Sequence, residues 1–102
     1  MQGFVLTQKA KDDLKAIGRY TQETWGCEQR NRYLAMLDEK FHELAADPMK
    51  GRDCSAIREG YRKHEAGKHI IFYRQIENGF IEIVRILHGR MDITTRLSDS
   101  TE

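Results

Sequence analysis

Apolar residues recur at helical spacing in the first half of the chain and at strand spacing in the second half. A short apolar run at residues 3–7 predicts a first strand. From Thr7, a candidate N-cap, a three-to-four spacing predicts an amphipathic helix that Gly26 ends. Asp12 and Asp13 fall near the start of this helix, where the helix dipole favours acidic side chains. Its apolar positions are Ala10, Leu14, Ile17, Tyr20, Thr21 and Trp25.

A second apolar stripe at the same spacing predicts a second helix. It ends before Asp47-Pro48, because proline disfavours helical geometry in the residue ahead of it. A turn at residues 25–27 joins the two helices into an antiparallel hairpin. We interpret Trp25 as the hydrophobic anchor of this hairpin rather than as a binding residue. The stripe, which we expect to face the core, consists of Leu34, Leu37, Phe41, Leu44 and Ala45.

The second half of the chain is typical of an antiparallel meander. Residues 48–57 have the character of a loop, and strands are predicted at about 58–65, 68–76 and 80–88. The Asn78-Gly79 pair between the last two strands favours a tight hairpin turn. The strand at 80–88 is apolar on both alternations, which is typical of a strand in the interior of a sheet.

The predicted fold class is α+β, with the element order β-α-α-β-β-β in a single domain spanning residues 1–102. An N-terminal strand and an antiparallel helical hairpin are followed by three antiparallel strands that complete one sheet of order 1-4-3-2. Counting chain directions makes the last strand antiparallel to the first, with the hairpin over one face of the sheet. Residues 91–102 are a candidate flexible tail, with at most one helical turn around residues 92–96.

Charge and cysteine content narrow the possible functions. The 17 Lys and Arg residues nearly balance 16 Asp and Glu residues, for a formal net charge of +1. This argues against wholesale electrostatic binding of nucleic acid, and we expect no direct sequence-specific binding by this chain alone. Cys27 and Cys54 lack zinc-site and disulfide-scaffold spacings, so we interpret both as free thiols in a reducing cytosol. No apolar run spans a bilayer, so we expect a cytoplasmic protein without membrane contact.

The residues offer little support for a metal, a cofactor or a nucleophile. His64 and His69 are too isolated for a structural zinc site, and no serine or cysteine lies in a glycine-flanked elbow. The last two strands and the segment after them carry cations and a titratable imidazole, which together could cleave RNA. A common face for Arg74 and Arg85 depends on an unknown register. The simpler interpretation is a set of solvated and partner-binding side chains, namely Arg74, Arg85, His88, Arg90 and Arg96.

Five strings in this order resemble the ParE toxins of the RelE/ParE toxin–antitoxin superfamily. Together they span nearly the whole chain, and the family fold is the β-α-α-β-β-β arrangement. The strings are KAKDDL at 9–14, WGCEQ at 25–29, IREGYR at 57–62, HIIFYR at 69–74 and RILHGRMD at 85–92.

The resemblance implies a toxin that is not an enzyme and uses no cofactor. ParE-like toxins, which belong to modules that stabilise plasmids or chromosomes, poison DNA gyrase and are silenced by a ParD-like antitoxin. The RelE branch instead cuts mRNA on the ribosome, and an endonuclease using Arg74, Arg85 and His88 is the alternative. A third hypothesis is a degenerate member that only binds its antitoxin and helps to repress their shared operon. No set of catalytic residues from the family can be assigned to positions of this sequence. The candidates for contact with the target are therefore Arg74, Arg85, His88, Arg90 and Arg96.

Overall fold

Two helices pack against one five-stranded sheet in the computed structural model, which describes residues 3–89. Two 3-10 turns, Pro48–Lys50 and Glu77–Gly79, lie between the longer elements. The elements are β1 (Gly3–Leu6), α1 (Gln8–Trp25), α2 (Cys27–Ala46), β2 (Arg52–Asp53), β3 (Tyr61–Ala66), β4 (His69–Gln75) and β5 (Phe80–His88).

The ends of the helices lie where the sequence predicts them. The side chain of Thr7 caps α1 by accepting a hydrogen bond from the backbone N–H of Ala10 at 3.0 Å. Gly26, with φ at +96°, separates α1 from α2 in a conformation that favours glycine. α2 ends at Ala46, directly before Asp47-Pro48. The predicted helical hairpin is confirmed.

The sheet has the order β1-β5-β4-β3-β2, with β5 between β1 and β4. The predicted order of the first four of these strands and the interior place of residues 80–88 are therefore confirmed. The predicted turn between the last two strands is also confirmed, since Asn78 and Gly79 both have positive φ, at 65° and 76°.

Two features of the predicted sheet are wrong, and they have a common cause. Residues 48–57 are not all loop, because Arg52–Asp53 forms β2, an additional edge strand antiparallel to β3. β2 adds one chain reversal that the count of directions omitted. All later strands consequently run opposite to the predicted direction, and β1 pairs with β5 in parallel rather than antiparallel.

The main core lies between the helices and the sheet. The side chains of Leu37, Phe41, Leu44 and Ala45 are buried there, which confirms the predicted face of α2. A smaller cluster lies on the other face of the sheet, with Ile57 packed against it. This second cluster consists of Cys54, Tyr61, Phe72, Val84 and Leu87.

The aromatic side chains near the end of α1 lie at the surface and do not anchor the helical hairpin. Trp25 is 67% exposed and Tyr20 is 66% exposed. Gly18 packs against Leu34 of α2 instead, with only 3.4 Å between an ideal Cβ at Gly18 and a methyl group of Leu34. A small residue therefore brings the helices together, and Trp25 remains at the surface of the hairpin tip. The interpretation of Trp25 as an anchor is wrong.

Candidate functional site

Arg74 lies on β4 in an ion pair that crosses to β5. Its Nε donates to Oε1 of Glu82 at 2.8 Å, and the two residues are partners in the sheet register. The Arg74 side chain is 48% exposed, so solvent screens the pair and limits its contribution to stability. Arg74 is accordingly accessible to a partner near the β4–β5 turn.

Arg85 is bound by a carboxylate of α1. Its Nε and Nη2 donate to the two oxygens of Asp13 at 2.8 and 2.9 Å, and the side chains are 13% and 14% exposed. The backbone N–H of Ile86 donates to the same carboxylate at 3.0 Å. Since β1 ends opposite Ile83, Asp13 occupies the edge of β5 beyond the last residue of β1. Asp13 therefore ties α1 to β5. The first turn of α1 holds no acidic residue, so the predicted interaction of Asp12 and Asp13 with the helix dipole is wrong.

His88 belongs to an aromatic cluster at the end of the sheet, which we call the Tyr33–His69–His88 cluster. The ring centroids of His69 and His88, partners in the register, are 5.4 Å apart. The phenolic oxygen of Tyr33 lies 2.6 Å from Nδ1 of His69 and accepts the backbone N–H of Lys68 at 3.0 Å. A phenol and an imidazole are thus in direct contact next to His88.

Burial changes the protonation of this cluster. Burial raises the pKa of the Tyr33 phenol, against the opposing hydrogen bond from the backbone of Lys68. Burial and then the neighbouring His88 lower the pKa of His69, while Asp13 acts in the opposite direction. His69 is therefore neutral near pH 7, and its Nδ1 can accept the phenolic proton of Tyr33 in a hydrogen bond.

The structure does not bring Arg74 and His88 together. Arg74 lies opposite Glu82, whereas His88 lies six residues further along β5. At the usual rise of a strand, this separates their backbones by about 20 Å. Arg90 and Arg96, as well as the predicted tail and its helical turn, lie outside residues 3–89.

An irregularity in the ladder settles the register that the sequence left open. Phe72 pairs with Arg85 but Tyr73 pairs with Ile83, which leaves Val84 as the extra residue of a bulge. The bulge shifts Arg85 into register with the side of β4 that carries Phe72 and Arg74. The guanidinium groups of Arg74 and Arg85 nonetheless bind different carboxylates.

The described residues contain two free thiols but no cluster of metal ligands. Among residues 3–89, no group of three or more His, Cys, Asp or Glu side chains is placed to hold a metal ion. Cys27 is an exposed free thiol and Cys54 is a buried one, whose pKa burial raises. No helix in the described part of the chain is both long and apolar enough to cross a membrane.

Sequence reasoning missed three sets of residues. The contacts of Asp13 and of Tyr33 join residues more than 30 positions apart, and no local pattern signals them. The third set is a row of exposed cations on α1 (Lys11, Lys15 and Arg19). The sequence does predict this row, because its members are four residues apart and therefore lie on one helix face.

Solved structures of toxin–antitoxin systems share this fold. The chromosomal ParDE toxin–antitoxin system of P. aeruginosa aligns with a TM-score of 0.73 at 22% identity, covering 86% of this chain and 96% of its own. The RelBE2 toxin–antitoxin complex of Mycobacterium tuberculosis aligns with a TM-score of 0.63 at 23% identity, covering 85% and 96%. The architecture is thus that of a small α+β fold found in toxin–antitoxin complexes.

Sequence comparison identifies the family. Residues 4–93 match the model of the ParE toxin of the type II toxin–antitoxin system, parDE. Toxin ParE1 of Mycobacterium tuberculosis is 42% identical over 94 residues, which are 92% of this chain and 96% of the relative. Toxin ParE of Escherichia coli is 36% identical over 99 residues, which are 97% and 96% of the two chains. The chain belongs to the ParE toxin family and is a toxin of a type II toxin–antitoxin system.

Proposed function

We propose that this toxin inhibits DNA gyrase in the cytoplasm and is neutralised by a ParD-like antitoxin. Membership of the ParE family supports the proposal. The structural observation that supports it is the separation of Arg74, Arg85 and His88 along the sheet. This separation argues against the main alternative, which is cleavage of RNA.

Cleavage of RNA needs a base, an acid and a cation that converge on one phosphate. Arg74 is about 20 Å from His88 along the sheet. Arg85 is bound to Asp13 by two hydrogen bonds and is only 13% exposed. These positions favour a toxin that acts by binding its target rather than by cutting a nucleic acid.

Arg74 is the best-placed target contact among the candidates on the described strands. Its guanidinium is half exposed, and the pair with Glu82 is weak enough to be exchanged for a partner's carboxylate. Arg90 and Arg96 remain candidate contacts beyond residues 3–89. Arg85 is a less accessible candidate, since a partner would have to displace Asp13.

The sheet edge offers a docking surface for the antitoxin. β2 pairs with β3 only at Arg62 and Lys63, so residues 64–66 extend beyond the last pair. An edge of this kind accepts a peptide by strand addition, while the helical hairpin can accept a helix. We expect an antitoxin segment with apolar and acidic side chains to fold on this surface.

Hydrogen exchange of the toxin with and without its antitoxin tests the docking surface. We expect added protection of the amides of residues 64–66 or of the two helices. Exchange measured with an unrelated small protein in place of the antitoxin provides the baseline. Unchanged exchange in both regions would rule this surface out.

Expression without antitoxin distinguishes gyrase inhibition from RNA cleavage in cells. The proposal predicts a DNA-damage response and filamentation while bulk translation initially continues. Cleavage of mRNA at ribosomal A-site codons within the first minutes would exclude the proposal.

A ribosome-dependent mRNA endonuclease is the second candidate, and one observation favours it. The Tyr33–His69–His88 cluster places a neutral imidazole 2.6 Å from a phenol, and these are groups capable of proton transfer. Under this alternative, His69→Ala would abolish mRNA cleavage. If the toxin inhibits gyrase instead, His69→Ala should reduce toxicity only as much as it reduces the stability of the fold.

A further inference from the structure

Helix α1 carries a row of cations on its outer face. Lys11, Lys15 and Arg19 are spaced four residues apart, and all three are exposed. Residues at this spacing lie above one another on a helix, about 6 Å apart at each step. The row is therefore a line of three positive charges about 12 Å long.

Two acids on the same helix, Asp12 and Glu23, lie three residues from Lys15 and four residues from Arg19. No ion pair within residues 3–89 involves Lys11, Lys15 or Arg19. The neighbouring carboxylate of Asp12 accepts a hydrogen bond from Gln8 at 3.1 Å instead. Like charges one turn apart destabilise a helix. The row therefore costs stability in the free protein, and an anionic partner would relieve the repulsion.

The fold holds the row rigidly at the surface. The opposite side of α1 is buried in the core through Ala10, Ile17 and Thr21. Helix α1 also packs along α2 at Gly18, so its rotation about its own axis is fixed. The three cations consequently keep one spacing and one direction, which suits a partner whose charges are also regularly spaced.

The surroundings of the row indicate the chemistry of that partner. Protein interfaces centre on buried apolar or aromatic anchors, whereas the residues that flank the row on α1 are polar (Gln8 and Gln22) or acidic (Asp12 and Glu23). The two exposed aromatic residues of α1, Tyr20 and Trp25, lie about 100° and about 120° around the helix from Arg19. Phosphate groups, in contrast, are contacted by lysines and arginines that need no apolar anchor.

We propose that Lys11, Lys15 and Arg19 form a contact for the sugar–phosphate backbone of duplex DNA, without sequence preference. The proposal deepens the proposed function: it rests on gyrase inhibition for its biological setting, where the toxin meets DNA held by the enzyme. The chemistry of the contact itself requires only the row. A formal net charge of +1 makes such a contact local to this face rather than a property of the whole surface.

The test compares two triple variants with the same loss of charge. Lys11→Gln with Lys15→Gln and Arg19→Gln removes the row, and glutamine preserves helix propensity. The matched control is Arg32→Gln with Arg52→Gln and Lys68→Gln, which removes three exposed cations scattered over other elements. Thermal melts of both proteins, and of the single variant Lys15→Gln, establish that they fold.

Binding to a short fluorescein-labelled duplex is followed by anisotropy across a salt series. We expect the row variant to lose about tenfold or more in affinity at low salt, and the control about threefold or less. The slope of log affinity against log salt should become shallower by about 0.9 for each cation removed from the contact. The single variant should lie between wild type and the row variant.

Equal losses in the row variant and the control would overturn the inference, because net charge alone would then explain binding. Loss of antitoxin binding with unchanged duplex binding would also overturn it, and would assign the row to an acidic protein partner. The duplex assay contains no gyrase. If the wild-type toxin fails to inhibit gyrase, the proposed function is contradicted. The duplex-binding result still tests the DNA contact, because it does not depend on gyrase.

Discussion

At the scale of single residues, one carboxylate does most to join the two halves of the sequence. Asp13 is bound to the guanidinium of Arg85 and to the backbone N–H of Ile86, more than 70 positions away. Without it, the N–H of Ile86 would lose its partner at an edge of the sheet that β1 does not reach. The contact therefore serves both charge neutralisation and backbone hydrogen bonding.

Replacement of Asp13 by alanine is expected to destabilise the protein by roughly 3–5 kcal/mol, because it leaves a largely buried arginine without its carboxylate. Asp12→Ala is the matched control, since the neighbouring carboxylate is exposed. The control should change the free energy of unfolding by less than about 0.5 kcal/mol. Urea denaturation measures both, and similar midpoints for the two variants would contradict the role given to Asp13.

His69 is expected to make the stability of the toxin depend on pH. Burial and His88 lower its pKa in the folded state, so the unfolded state binds the proton more readily. The stabilisation of the folded state by the neutral His69 imidazole is complete above the unfolded-state pKa of about 6.5, and it is lost as the pH falls from there through the lower folded-state pKa. His64, whose pKa is also lowered by burial, acts in the same direction.

The measurement for His69 is the free energy of unfolding at a series of pH values above and below this point. His69→Gln should flatten the dependence, although His64 retains part of it. An unaltered slope in His69→Gln would mean that the His69 imidazole titrates alike in both states.

At the scale of elements, the sequence predicts what depends on neighbouring residues and fails where distant pairing decides. The cap at Thr7, the break at Gly26 and the turn at Asn78-Gly79 are each local and are each confirmed. β2 consists of two exposed residues, too few to show any alternation, and it exists through its pairing with β3. That omission alone reversed the predicted direction of β1 relative to β5.

The packing of α2 on the sheet is expected to depend strongly on Phe41. Its ring is 2% exposed and lies 5.4 Å from the ring of Phe4 on β1. Phe41→Ala should reduce the free energy of unfolding by about 3–5 kcal/mol. Tyr20→Ala removes an aromatic ring that is 66% exposed and should cost less than about 0.5 kcal/mol. A denaturant melt in which the two variants lose equal stability would show that the core is placed wrongly.

At the scale of the whole molecule, the candidate site was less predictable than the fold. The sequence identified cations on the last two strands but could not show that Arg74 and Arg85 bind separate carboxylates, because a bulge at Val84 sets the register. The family assignment rests on strings spread along nearly the whole chain, and the family model spans residues 4–93. Many residues along the chain specify the fold, whereas a binding surface depends on the exact positions of a few side chains.

The central claim is that this ParE-family toxin acts by binding gyrase, and a purified system tests it most directly. The toxin is added to gyrase with supercoiled DNA and, in parallel, to a ribosome-dependent translation reaction with labelled mRNA. We expect linear DNA covalently bound to gyrase to accumulate, and we expect the mRNA to remain intact. When the antitoxin is mixed with the toxin beforehand, no cleaved DNA should form. Intact mRNA together with unaffected gyrase, or cleaved mRNA at toxin concentrations that leave gyrase active, would contradict the account.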